Sequence, residues 1–157
     1  MGKRNLFLVA IIALNSVAFS TPQKSTISSK FTVNDTLTWK ILGDVKFNKG
    51  NHKDYGEVMF PKVSPKVKGL HKKKVTVSGF IVPIDNENYA LSKNVFAACF
   101  FCGQAGPETI MGINFKDHKG RIKTDTYVTV TGYLRVNEDN VDDWIYNLDN
   151  AVILKGL

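Results

Sequence analysis

Val75-Thr76-Val77-Ser78-Gly79-Phe80-Ile81-Val82 is the stretch on which the fold turns. Its residues are mostly β-branched and alternate apolar with small polar ones until the apolar end before Pro83, the period-two pattern of a half-buried strand. A second stretch, Tyr127 to Val136, repeats the pattern with Val128 and Val130 set against Thr129 and Thr131. Each carries the same short echo, Val77-Ser78-Gly79-Phe80 and Val130-Thr131-Gly132-Tyr133. A glycine inside a strand marks a bulge or a sharp bend, which a small barrel needs in order to curl.

Around these two anchors the rest of the chain falls into place. Tyr89 to Leu91 with Val95 to Phe101, Thr109 to Phe115, and Trp144 to Leu148 with Ala151 to Leu154 supply the further strands. Leu37 to Leu42 fits either a short helix or an alternating strand. Ser64-Pro65 reads as a helix start, with room for one or two turns before Gly69. Asn48 to Tyr55 and the acidic stretch Asn137 to Asp143 read as polar loops. About five strands joined by short polar connections predict a mainly β domain, a small OB-like five-stranded barrel with one or two short helices.

The N-terminus has the layout of a secretion signal. Lys3 and Arg4 precede the apolar run Leu6 to Leu14, and Ala18-Phe19-Ser20 places small residues where a signal peptidase cuts. The run is about half of the ~20 apolar residues that a membrane-spanning helix requires. The expected organisation is a signal peptide over 1–20, a Ser/Thr-rich flexible leader over 21–36 and one domain over 37–157. The mature protein is expected to be periplasmic or secreted, with no transmembrane anchor. Composition agrees with a globular domain: 43% hydrophobic and 22% charged residues in 157. The net charge is +7, of which the signal segment carries two units in Lys3 and Arg4. A basic balance permits attraction to anionic lipids, glycans or nucleic acid, but export makes nucleic acid an unexpected partner.

The most conspicuous chemistry is Cys99-Phe100-Phe101-Cys102, which holds the two cysteines of the chain. Three readings stand open. An oxidising compartment favours a disulfide, which across so small a loop would pin a turn rather than hold the domain. Two thiolates suit a soft or borderline ion, Zn²⁺ or Cu(I), although a closed zinc site takes four ligands and the pair supplies two. Glu108 could turn back across Gly106-Pro107 as a further ligand. His52, His71 and His118 show no H-x3–5-H spacing and sit in polar, lysine-rich stretches. Thiol–disulfide exchange is the third reading, opposed by the glycines and Pro107 that follow the motif, because an activated cysteine usually sits at a helix N-terminus.

Other features read as surface. Lys62, Lys66 and Lys68 with His71-Lys72-Lys73-Lys74 form a basic patch, and Glu138, Asp139, Asp142 and Asp143 a polar hairpin tip without the calcium-loop order. No G-x-S-x-G, glycine-rich phosphate loop or H-E-x-x-H occurs, so nothing assembles a nucleophile, a base and an oxyanion site.

Trp39-x-x-Leu42, Pro61, the run Lys74 to Ile84, Cys99-Phe100-Phe101-Cys102-Gly103 and Gly106-Pro107-Glu108 together resemble an uncharacterised bacterial family of small exported proteins. That family is catalogued as a domain of unknown function, with a G-F-x-V-P and a C-x-F-C-G…G-P-E pattern. The resemblance spans about Leu37 to Leu154; members often carry Pro after the first cysteine, where this chain has Phe100. It implies an exported OB-like domain and brings no established activity. The expectation is therefore a non-enzymatic binding module of the cell envelope, for a small ligand, a metal held by Cys99 and Cys102, or an envelope protein. A weak thiol redox protein, and a protein- or glycan-interaction domain with a structural disulfide, are the alternatives.

Overall fold

The computed structural model describes residues 36–95, 105–117 and 120–156. The expected signal peptide, nearly all of the leader, Cys99, Phe100, Phe101, Cys102 and His118 lie outside the described residues.

Five strands close into a barrel: β3 (Lys74–Pro83), β4 (Tyr89–Ser92), β5 (Ile110–Phe115), β6 (Tyr127–Val136) and β7 (Tyr146–Lys155). Their order around the barrel is β3-β4-β5-β7-β6, with β6 returning to β3. All pairings are antiparallel except β5 with β7. This is the small OB-like barrel that the alternating stretches predict. Inward positions carry the core: Val75, Val77 and Ile81 from β3, Leu91 from β4, Met111 from β5, Val128, Val130 and Leu134 from β6, and Leu148 from β7 are all buried. Burying that apolar surface is the main favourable term in the fold.

The two glycine echoes face one another. Val77 pairs with Val130, Gly79 with Val128 and Gly132 with Val75, so the glycines flank one central valine pair. Both occupy inward positions of their strands. A Cβ at Gly79 would lie 2.6 Å from the Ser92 carbonyl oxygen and 2.9 Å from Leu91 Cγ. At Gly132 it would lie 2.7 Å from Leu148 Cγ and 2.9 Å from the Asp149 carbonyl oxygen. The β6–β7 register shifts beside Gly132, between Thr131 and Tyr133. Asn150, opposite that shift, takes a positive φ of 52°. The missing side chains let neighbouring backbones close in where the strands bend.

Helix α1 (Trp39–Leu42) packs on the barrel and settles the ambiguous Leu37 to Leu42 segment as a helix. Thr38 caps it by accepting from the Ile41 N–H. Leu37 and Leu42 are buried, Trp39 Nε1 donates to the Ser78 carbonyl at 2.8 Å, and the buried Tyr146 hydroxyl donates to the Leu42 carbonyl at 2.7 Å. The second helix, α2 (Pro65–Lys68), begins where Ser64-Pro65 places it. Ser64 does not cap it with its side chain, as the sequence implies it should: its hydroxyl is buried without a hydrogen-bond partner.

Three other expectations need correction. The polar segment Asn48 to Tyr55 is largely strand: β1 (Val45–His52) pairs antiparallel with β2 (Gly56–Val63), forming a hairpin outside the barrel. Val45 and Phe47 of β1 pack against the core, but Asn48 to His52 carries no apolar side chain, so no alternation marks that part as strand. At the C-terminus, Trp144 precedes the last strand, and the two expected runs form one strand, β7. That strand runs on through Asp149 and Asn150, with Asn150 bulged out of the registers with both β5 and β6. Val95, expected to open a further strand, is irregular and exposed, and the rest of that run lies outside the described residues.

Candidate functional site

The loop after the first barrel strand (residues 84–88) and the loop between β6 and β7 (residues 137–145) meet over β5 and its neighbours β6 and β7, with Tyr89 the one residue β4 contributes there. OB barrels bind oligonucleotides and oligosaccharides with loops at these two positions and the face of their second and third strands; here β4 is buried along its whole length, and only the loops correspond. Between the loops lies a mainly polar groove of about 280 Å³, walled by Asp85 and Asn88 from the first loop and by Asp143 and Trp144 from the second, with Ile84, Tyr89 and Ile113 as its apolar part. Its floor includes Gly112 and Asn114 of β5, Arg135 of β6 and Asn147 of β7. A second depression of about 720 Å³ shares Asn88, Tyr89, Ile113 and Asn114 with it and runs on to Lys116 and Arg121.

The polar groups of the groove hold one another in place. Arg135 Nε donates to Asp149 Oδ2 at 2.9 Å, and its Nη1 donates to Asp143 Oδ2 at 2.6 Å. Asn114 Nδ2 donates to the other Asp149 oxygen at 2.6 Å, and Asn147 Nδ2 to the other Asp143 oxygen at 3.1 Å. The Trp144 backbone N–H also donates to Asp143, at 2.8 Å. The first loop is tied by Asp85, whose carboxylate accepts from the Glu87 and Asn88 backbone N–H groups and from the Asn88 side chain. Gly112 is needed under this cluster: a Cβ there would meet the Asn147 side-chain oxygen and lie 2.6 Å from Trp144 Cδ1.

The acidic hairpin tip is thus more than a solvated surface. Glu138 accepts from the Val63 N–H at 2.8 Å and pairs with Lys68 at 2.5 Å, and Asp142 accepts from the Tyr55 hydroxyl at 2.7 Å. Burial pushes the Glu138 and Asp143 carboxyls upward, but their hydrogen bonds to Lys68 and Val63, and to Arg135, Asn147 and Trp144, hold both below the usual carboxylate range. A carboxylate with a lowered folded pKa contributes stability above its unfolded pKa of about 4, and that contribution is lost as pH falls through the folded value. Urea midpoints should therefore drop between pH 7 and acid conditions, and Asp143→Asn should make the drop smaller. An equal drop in the variant would remove Asp143 from the account.

The candidate metal ligands are not brought together among the described residues, where no group of three or more His, Cys, Asp or Glu side chains converges. His52 Nδ1 accepts from the Asp54 N–H at 3.2 Å, and His71 Nδ1 from the Val136 N–H at 3.1 Å. Each serves its own turn or strand end. Glu108 does fold back onto Gly106, where a Cβ would collide with its carboxylate. Cys99 and Cys102 lie outside the described residues. Sequence reasoning misses the residues that build the groove, because Asn114, Arg135, Trp144 and Asn147 come from different elements with no common spacing. The one local signal is a tryptophan directly following two aspartates at the end of a polar loop.

Comparison with known family models, with curated proteins and with solved structures gives no match for this chain.

Proposed function

We propose that this chain is an exported binding module of the cell envelope, with its ligand seated in the groove over β5, β6 and β7 between the two loops. The observation that carries the reading is the preorganised network of Arg135, Asp143, Asp149, Asn114 and Asn147 between the two loops. Side chains fixed before a ligand arrives lose little freedom on binding it, which favours affinity. Trp144, 36% exposed at the wall, supplies an optical test. The chain has two tryptophans, and the other, Trp39, is tied to Ser78 from helix α1. In a Trp39→Phe variant, emission from Trp144 should shift when soluble oligosaccharides, oligonucleotides or peptides are screened and one binds. Binding that leaves this emission unchanged would place the ligand elsewhere.

The cysteine pair adds a metal reading to the same proposal, carried by the spacing of Cys99 and Cys102. Two thiolates would take Zn²⁺ or Cu(I), with Glu108 the nearest acidic residue in sequence after the motif. The Cys99→Ser/Cys102→Ser variant should lose bound metal yet keep its circular dichroism spectrum, because the barrel core supplies most of the stability. Chelator should lower the melting temperature of the metal-loaded parent, since a bound ion stabilises the folded state by mass action. Reduced protein that takes up neither ion would leave the pair as a disulfide or free thiols.

A further inference from the structure

We infer that the groove takes an uncharged oligosaccharide, a deepening that rests on the groove being the binding site. Charge points to this class of ligand. The chain carries a net +7, yet its surplus cations are not in the groove. Asp85 and Asp143 accompany Arg135 there, and Arg135 is paired on both sides, to Asp143 and Asp149. In the adjoining depression Lys116 and Arg121 share the lining with Glu87 and Asp117, so its charges sum to zero. A phosphodiester chain needs unpaired cations, because counterion release on neutralising its phosphates drives binding. The basic residues Lys62 and Lys68, of β2 and α2, line a different depression together with Lys46.

The remaining hydrogen-bonding capacity of the groove points the same way. A guanidinium has five N–H donors. Two of them hold the aspartates, which fix the plane of the group and leave the others for a ligand. Asn114 uses its amide donor on Asp149 and keeps its carbonyl oxygen as an acceptor. Fixed donors and acceptors side by side match the adjacent hydroxyls of a sugar, each of which both donates and accepts. Trp144 adds an aromatic side chain, 36% exposed, at the wall of a groove whose lining is mainly polar. The C–H face of a pyranose is apolar and flat enough to lie on such a ring, while its hydroxyl edge meets the polar floor. A peptide would call for an apolar floor or a free sheet edge, and β4 and β5 are paired on both sides.

The test is calorimetric titration with neutral hexasaccharides (cellohexaose, chitohexaose, maltohexaose, laminarihexaose, xylohexaose and mannohexaose) and with the oligonucleotide dT12. At least one hexasaccharide should bind, with an affinity nearly unchanged from about 50 to about 300 mM salt, where a phosphate-driven contact would weaken steeply. Trp144→Ala should weaken it by about tenfold or more, and Trp144→Phe by less, because a smaller ring remains. Both variants should keep the parent's circular dichroism spectrum. Binding of dT12 in place of the sugars, with Trp144 emission responding, would overturn the carbohydrate inference and leave the groove intact as the site. Sugar binding that Trp144→Ala leaves unchanged would overturn the inference and the groove reading together. No binding by any of the hexasaccharides at millimolar concentration would also overturn the inference.

Discussion

Replacing Gly79 or Gly132 with valine should each cost about 3 kcal/mol or more of folding stability, the upper part of the range for overpacking a core. The reason lies in what surrounds them. At both positions a Cβ would come within 3 Å of a backbone carbonyl oxygen as well as a leucine side chain, so a rotamer change alone cannot relieve the clash. The strands would have to move apart where the barrel bends. Gly56 provides the comparison: its φ is 70°, but nothing lies within 4 Å of its would-be Cβ. Gly56→Ala should therefore cost only the backbone strain, about 1 kcal/mol. Urea unfolding of the three variants checks the ranking. Valine variants within about 0.5 kcal/mol of the parent would contradict the packing argument for the barrel.

The second large effect is expected at Tyr146, the largest fully buried side chain among the described residues. Tyr146→Ala removes a buried ring and the partner of the Leu42 carbonyl, and should cost about 3–5 kcal/mol. Tyr146→Phe keeps the ring and leaves that carbonyl without its hydroxyl donor, for about 1–2 kcal/mol. The difference between the two measures the ring's packing. Burial first, and then the carboxylates of Glu108, Asp44 and Glu138, push the Tyr146 hydroxyl well above its ordinary value. In the unfolded chain the same group ionises near pH ~10. The folded state then holds a proton that the unfolded state has lost, so Tyr146 makes stability fall as pH rises above about 10. Tyr146→Phe should show a shallower alkaline decline; an unchanged decline would assign it to other groups.

The barrel was legible in the sequence because β3 and β6 bury one face and leave the other partly exposed, which writes the period into the residues. The glycine echo was legible for the same reason: curvature has a residue requirement. The β1–β2 hairpin was not, since it meets the core only at Val45, Phe47 and Val63, and the stretch from Asn48 to His52 has no apolar row to mark its register. Helix α1 fell between two readings because four residues are too few to display a period. The groove was hidden for a different reason. Its parts are Asp85, Asn114, Arg135, Asp143, Trp144 and Asn147, and only closure of β5 against β7 and of β7 against β6 brings them together. Acidic residues that read as a solvated tip prove to be the clamps on Arg135 and Lys68.

The most direct test of the central claim is the ¹⁵N–¹H correlation spectrum of the protein titrated with the hexasaccharides and with dT12. The account predicts that whichever of them binds shifts the backbone signals of Gly112, Asn114 and Arg135 and the indole signal of Trp144, while the hairpin around Lys49 and Glu57 stays still. Shifts confined to the hairpin or to the lysine surface around Lys62 and Lys66 would contradict it.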